Sequence, residues 1–409
     1  MIQLALRNLW RNKVRTGITL AAVAGGLGLI IMSMNLNNGM YQDLITNGIS
    51  TIAGHVVVQP RGWKADPDPT ERSLEDGDAI AAKVAGASPE GVVTQRIFLG
   101  GLLQSPANSV AVAVTAIKPA LEQRVSQWHE KVSEGEWLKP DDSRGILIGS
   151  KVAETLDVRV GNKVVLMAQG KDDVESKLFR VRGLVSTGSK QIDGVVALVT
   201  VEAAQSLLVL PGAVSQVSLH LPSSDGADAA TAAVSESFAD PADAEVLGWK
   251  EAVSEVYQFT VTDRKTNNAF MFLIGIIVAF GIINTILMSV MERIREFGVM
   301  LALGTPPTSV RAMIVAEGFF IGAGGALLGL AFGGAMTQYL VTNGLDYGEL
   351  SGAALDIGGA TGSSVIYAQW DWVSTVVYMS IAIALAMAST VYPAWKAGAL
   401  KPVEAMRHV

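Results

Sequence analysis

The stretch Met291-Glu292-Arg293-Ile294-Arg295-Glu296-Phe297-Gly298-Val299-Met300-Leu301-Ala302-Leu303-Gly304 decides how the rest of the chain is read. Ile294, Phe297 and Leu301 fall on one helical face and the Glu/Arg set on another, so the spacing predicts a short amphipathic helix. Gly304, followed by Pro306-Pro307, is a helix stop. Long apolar runs lie on both sides. Asn267 to Met291 is centred on Phe270-Met271-Phe272-Leu273-Ile274-Gly275-Ile276-Ile277-Val278, and Val310 to Leu340 follows the prolines. Two more such runs are Gly17 to Met40 and Val373 to Ala394. At 1.5 Å per residue, roughly 20 nearly uncharged residues cross a ~30 Å hydrocarbon layer. Ala22-Val23-Ala24 matches a signal-cleavage pattern, but few apolar residues precede it and the run continues to Met34. It reads as an uncleaved anchor. Four transmembrane helices are therefore expected, with the charged helix between the second and third.

Composition agrees. The 409 residues are 50% apolar and 17% charged, with a mean hydropathy of +0.36. Soluble domains are about 25% charged. The absence of Cys excludes disulfides, cysteine-held zinc and thiol catalysis, and a net charge of -7 argues against a nucleic-acid partner.

Charge is distributed by side. Outside residues 41–266, the ten Lys and Arg are Arg7, Arg11, Lys13, Arg15, Arg293, Arg295, Arg311, Lys396, Lys401 and Arg407. All precede the first span, lie between the second and third or at the very start of the third, or follow the fourth. The segment from Val341 to Trp372 has no Lys or Arg but carries Asp346, Glu349, Asp356 and Asp371. The positive-inside rule then predicts cytoplasmic N- and C-termini. The expected fold is an integral membrane α-helical protein with a large α+β extracytoplasmic, periplasmic domain inserted between the first and second spans. Its expected parts are an amphipathic elbow helix (1–16), spans at 17–40, 267–291, 310–340 and 373–394, the inserted domain (41–266), a cytoplasmic helix and turn (292–309), an outer loop (341–372) and a cytoplasmic tail (395–409).

Within the inserted domain, strands are expected at His55–Gln59, Val92–Leu103, Ser109–Ile117, Gly145–Ile148, Lys163–Ala168, Lys177–Leu184, Val195–Val199 and Val214–Leu221. Helices are expected at Glu71–Ala85, Ser150–Leu156, Val201–Leu208 and Ser224–Phe238, and a helical stalk at Val253–Thr266. In the third span, Gly325, Gly329 and Gly333 share one face, a seam for close helix approach. It could meet Ala382, Ala384, Ala386 and Ala388 of the fourth span, or a partner subunit.

Catalytic motifs are missing. No Walker A pattern occurs, and Gly170-Lys171 is followed by Asp172. His55 and His220 read as ordinary packing or surface residues, and Asp141-Asp142 and Asp172-Asp173 as solvated turns. Glu317 is the one acidic group inside a span, close enough to the inner end to reach the interface, and Asn284 is expected to hydrogen-bond across a helix contact. Any driving energy is then supplied by another subunit.

Three segments carry a family resemblance: Leu4 to Thr16 (LALRNLWRNKVRT), Asn284 to Gly304 (NTILMSVMERIREFGVMLALG) and Tyr392 to Arg407 (YPAWKAGALKPVEAMR). Together they resemble the MacB/FtsX-like permeases of mechanotransmitting ABC transporters. Gly145 to Leu166 is similar to a segment of that family's outer domain. A chain of this length without a fused ATPase is most similar to the lipoprotein-releasing LolC/LolE branch, although the 341–372 loop is longer and richer in Gly and Ser than that branch leads one to expect. The resemblance implies a non-catalytic permease that binds no cofactor itself. It pairs with a second copy or paralogue and takes ATP and Mg through cytoplasmic ABC ATPase subunits. It further implies that Glu292, Arg293, Arg295, Glu296 and Gly298 form the coupling helix against the ATPase. Exposing three ~16-carbon acyl chains to water would cost on the order of 30 kcal/mol at ~0.8 kcal/mol per methylene. A lipoprotein cargo therefore needs an apolar cleft facing membrane lipid, then a periplasmic lipoprotein carrier. By position, Leu36, Met40, Phe259, Phe270 and Ile274 are the expected cleft wall. MacB-like export and FtsX-like mechanical activation of a periplasmic partner are the competing readings.

Overall fold

A computed structural model describes residues 7, 13–238, 244–347, 356–357, 360–361 and 365–399. Most of the expected elbow helix and the tail from residue 400 onward lie outside the described residues. Among the described residues, four helices are long and apolar enough to cross a membrane. The contacts divide the chain into two units, Met1–Tyr41 with Val261–Leu345 and Tyr367–Val409, and Gln42–Thr260 with Asp346–Ile366.

Among the described residues the α-helices, in chain order, are α1 (Lys13–Asn47), α2 (Gly77–Ala87), α3 (Pro119–Glu122), α4 (Ser150–Leu156), α5 (Lys190–Asp193), α6 (Val201–Leu208), α7 (Ala227–Ser237), α8 (Trp249–Ala252), α9 (Ser254–Glu292), α10 (Ile294–Ala302), α11 (Pro307–Asn343) and α12 (Trp372–Gly398). The first span is longer than expected. Tyr41 and Leu44 are buried, and α1 continues to Asn47 and then widens into a π-helical turn, Gly48–Ala53. The expected stalk is the start of the single helix α9.

In the membrane unit, α1 is tied at both ends of its outer half. The Tyr41 hydroxyl donates to Asp263 at 2.6 Å, and Asn35, wholly buried, accepts the Asp371 N–H on its side chain and the Gln369 N–H on its carbonyl. Asp371 in turn caps α12 by accepting from the Ser374 N–H. Trp370 and Trp372 stack at 4.4 Å beside this cap, aromatic anchors of the kind found at membrane interfaces.

The glycine seam has a different partner from either expectation. A Cβ at Gly333 would sit 2.4 Å from the Gly28 carbonyl, and Gly325 and Gly329 face Val23, Ala24 and Leu27, so the seam packs against α1. The fourth span uses another pair, Gly318 and Gly322, which face Thr390, Ala386 and Ile383 of α12. The register of glycines on a helix shows which face is thin, not which neighbour fills it.

The inserted unit is built on one ten-stranded sheet in the order β10-β1-β9-β2-β3-β8-β5-β7-β4, with β6 pairing β2 and β7. The strands are β1 (Val56–Pro60), β2 (Val92–Gln104), β3 (Ser109–Ile117), β4 (Val132–Gly135), β5 (Gly145–Gly149), β6 (Lys163–Gln169), β7 (Val174–Val185), β8 (Val196–Thr200), β9 (Gln216–His220) and β10 (Ala244–Gly248). Every position of β1, β5, β8 and β9 is buried, whereas β6 and β7 alternate. The short apolar run of β5 and β8 thus becomes inner strand and the alternating run of β6 and β7 half-exposed strand, whereas β9, QVSLH, alternates in sequence and is buried throughout. α4 and α6 occupy their expected residues. α2 begins at Gly77, not Glu71, because Asp76 accepts from the Ala79 N–H as its cap and Leu74 is bridged to Val214. β4 and β10, four and five residues long, were not expected. Residues Asp346–Ile366 of the 341–372 loop cluster with this unit, where Asp356–Ile357 and Ala360–Thr361 pair.

Candidate functional site

The helix that opened the sequence reading is a two-sided element. Ile294, Phe297 and Gly298 of α10 are buried, and Phe297 packs with Val290, Val310, Met313 and Ala394 in the core joining α9, α11 and α12. Arg295, Glu296, Val299 and Leu303 lie on the open side, Leu303 being 82% exposed. Spacing of three to four residues puts these in one stripe. Val299 and Leu303 were not singled out in the sequence, since apolar residues in an amphipathic helix are read as its inner face.

Arg293 is the residue whose position the sequence does not show. Its Nη1 donates to Glu317 at 3.0 Å and its Nε to Glu296 at 3.1 Å, with the guanidinium 4.9 Å over the Phe297 ring. The Arg293 side chain is 13% exposed and Glu317 3%. Arg293 therefore staples the start of α10 to α11. Glu317 is buried against this arginine. Glu292 and Arg295 are exposed. Asn284 is exposed on α9. Its amide lies outside the packed core of this chain.

A second feature lies at the depth of the apolar runs. A cleft of about 310 Å³ opens between α1, α9 and α12, walled by Leu27, Ile30, Met271, Phe272, Ile276 and Leu385 among others. Gly26 and Gly275 thin its walls, since a Cβ on either would meet Val278 or Leu385. Tyr378 donates to Asn268 at 2.9 Å beside it. None of the five residues expected from position lines this cleft. Phe270 and Ile274 are on the same helix but on other faces, Phe270 being 60% exposed, and Leu36, Met40 and Phe259 are half-buried elsewhere. Helical phase accounts for Phe270 and Ile274, since the lining of α9 includes the three-to-four repeat Met271, Gly275, Val278 and Ile282, whereas Leu36, Met40 and Phe259 lie beyond the lining residues along their helices.

The inserted unit brings together the two histidines read as ordinary. His55 and His220 both border a polar hollow of about 460 Å³ that also includes Ser50, Glu90, Arg124 and Ser224. The Leu221 N–H donates to His55 Nδ1, so the neutral ring carries its proton on Nε2, facing the Ser224 hydroxyl at 3.2 Å. Burial holds His55 below the ordinary histidine range. His220 is held well below it, first by burial, then by the Arg96 cation and by His55.

Against this geometry the comparisons with known proteins are direct. Residues 16–237 match the MacB-like periplasmic core domain and residues 268–402 the FtsX-like permease C-terminal domain. The chain belongs to the MacB/FtsX-like family of ABC transporter permeases. The lipoprotein-releasing system transmembrane protein LolC of Neisseria meningitidis serogroup B is 24% identical over 98% of this permease and 97% of its own chain. LolE of Haemophilus influenzae is 22% identical over 94% and 92%. Among solved structures, the extracellular domain of the noncanonic ABC-type transporter YknZ aligns with 48% of the permease and 99% of its own chain, at 15% identity and a TM-score of 0.36. The FtsX-like match takes in the charged helix α10 and the Arg293–Glu317 pair.

Proposed function

We propose that this permease is the non-catalytic transmembrane subunit of an ABC transporter that extracts lipoproteins from the outer leaflet of a bacterial inner membrane. ATP is hydrolysed by separate cytoplasmic subunits docked on α10. The observation that carries the reading is the end-to-end correspondence with lipoprotein-releasing permeases. Two features of the geometry support it. α10 offers an exposed stripe of mixed charge and apolar residues, and its buried Phe297 and stapled Arg293 would pass a push on that stripe to α9 and α11. The cleft between α1, α9 and α12 has the apolar lining that an acyl chain leaving the bilayer requires. A second copy or paralogue completes the transporter, with both termini in the cytoplasm as the charge distribution predicts.

Mass spectrometry of the complex purified gently from native membranes tests this. The expected result is an ABC ATPase and a bound triacylated lipoprotein. A fused or tightly bound outer-membrane export partner would favour a MacB-like exporter, and a cell-wall hydrolase without lipoprotein an FtsX-like activator. Either outcome removes the lipoprotein reading.

A further inference from the structure

The end of α1 is held by the sheet of the inserted unit in an unusual way. A helix terminus leaves its last carbonyls without donors from the helix itself, and π-helical turns concentrate at functional places. In the turn Gly48–Ala53, four successive carbonyls are all satisfied. Ile49 O accepts from the Gly54 N–H at 2.6 Å. Arg96 on β2 donates Nη2 to Ser50 O at 2.6 Å and Nη1 to Thr51 O at 3.0 Å. Gln216 on β9 donates Nε2 to Ile52 O at 2.7 Å. Arg96 and Gln216 are direct partners across the β2–β9 ladder, so the donors stand side by side. Glu122, from α3, grips the other side of the guanidinium at 3.2 and 2.7 Å, and both side chains are fully buried. The chain then leaves through Gly54 at φ +99°, where a Cβ would lie 2.9 Å from that of Ser218.

A buried ion pair is a poor way to gain stability, since apolar residues of similar volume do as well or better. It supplies direction instead. The guanidinium is a planar fork with fixed donors, matched here to two carbonyls and a carboxylate, and its charge meets the negative end of a helix dipole. Sliding or rotating the helix end would break charge-assisted bonds where no water replaces them.

We propose that Arg96, braced by Glu122 and flanked by Gln216, is a positioning residue that locks the end of the first membrane helix to the inserted sheet, so that displacement of the helix is delivered to the domain without slip. The functional consequence rests on the transport reading above, but the lock itself can be tested without it.

The test uses the full-length permease in nanodiscs. Hydrogen exchange over residues 46–55 should quicken at least ten-fold in Arg96→Met, with β5 and β8 unchanged. In proteoliposomes containing the ATPase and a triacylated model lipoprotein, lipoprotein released per ATP hydrolysed should fall at least five-fold while ATP turnover stays within two-fold. A purely structural role would lower the yield of folded protein and leave that ratio alone. Arg96→Lys, which keeps the charge but loses the fork, should recover only part of the ratio. If Arg96→Met does not fold, Gln216→Leu decides, because it removes one carbonyl donor and keeps the ion pair. Unchanged exchange, or an unchanged ratio, in a folded variant overturns the proposal. If the unmodified complex releases no lipoprotein, the transport reading fails, and the exchange result still decides the lock.

Discussion

Arg293 and Arg96 are each held by a buried glutamate, and in each the pairing partner lies more than 20 residues away in sequence. Removing the arginine takes a charge-assisted partner from a buried carboxylate. Arg293→Met should therefore destabilise the membrane unit by about 3 kcal/mol. Arg293→Met combined with Glu317→Leu should recover most of that loss, as read by thermal melting of the solubilised protein. A double variant as unstable as the single one would contradict the pairing. The histidines give a pH prediction. Both are held below the ordinary range near 6.5, so the unfolded chain binds more protons than the folded one once the pH drops toward that value. Their contribution to stability is complete above about pH 7 and is lost as the pH falls below 6.5. At His55 a second proton would go onto Nδ1, facing the Leu221 N–H that now donates to it. The denaturant midpoint should be lower at pH 5.5 than at 7.5, and His220→Gln should flatten that slope. Asp78, held below the usual carboxylate range mainly by Lys118, loses its contribution only in more acidic solution.

At the scale of the element, α10 has separate jobs on its two faces. Phe297→Ala empties a fully buried site and should cost about 3–5 kcal/mol, with loss of folded protein. Arg295→Ala or Leu303→Glu should leave melting within about 0.5 kcal/mol, since exposed substitutions rarely do more. The same changes should abolish co-purification of the ATPase and ATP-driven transport; undiminished transport would remove α10 as the docking element. The glycine seam makes a packing prediction. Gly333→Leu has no room beside Gly28, so α1 and α11 must separate. A cysteine pair placed at residues 24 and 329 should then cross-link less efficiently than in the parent. The chain has no native cysteine to interfere.

At the scale of the molecule, the reading requires that residues 41–266 and both termini lie on opposite sides of a membrane. Single cysteines at exposed Lys171 and Val14 test it with an impermeant maleimide in intact cells. Lys171→Cys should label and Val14→Cys should not. Labelling of both from the same side would end the account of a lever driven from the cytoplasm. Filling the cleft is the matching test for cargo: Gly275→Phe should lower lipoprotein release several-fold while ATP turnover continues.

The four spans, the inserted α+β domain and most of its strands were legible in the sequence, because hydropathy, alternation and helix stops are properties of neighbouring residues. α4 and α6 occupy their expected residues, and the amphipathic helix after the second span runs from Ile294 to Ala302. What tertiary structure alone decided was partnership and phase. The seam of Gly325, Gly329 and Gly333 met α1 instead of α12, the cleft took its lining from residues other than the expected ones, and Arg293 turned inward to Glu317. The lock on the π-helical turn joins Ser50, Arg96, Glu122 and Gln216 from four elements. None of these four carries a local signal of its role, because the direction of a side chain and the identity of its partner are settled only when separate elements pack together.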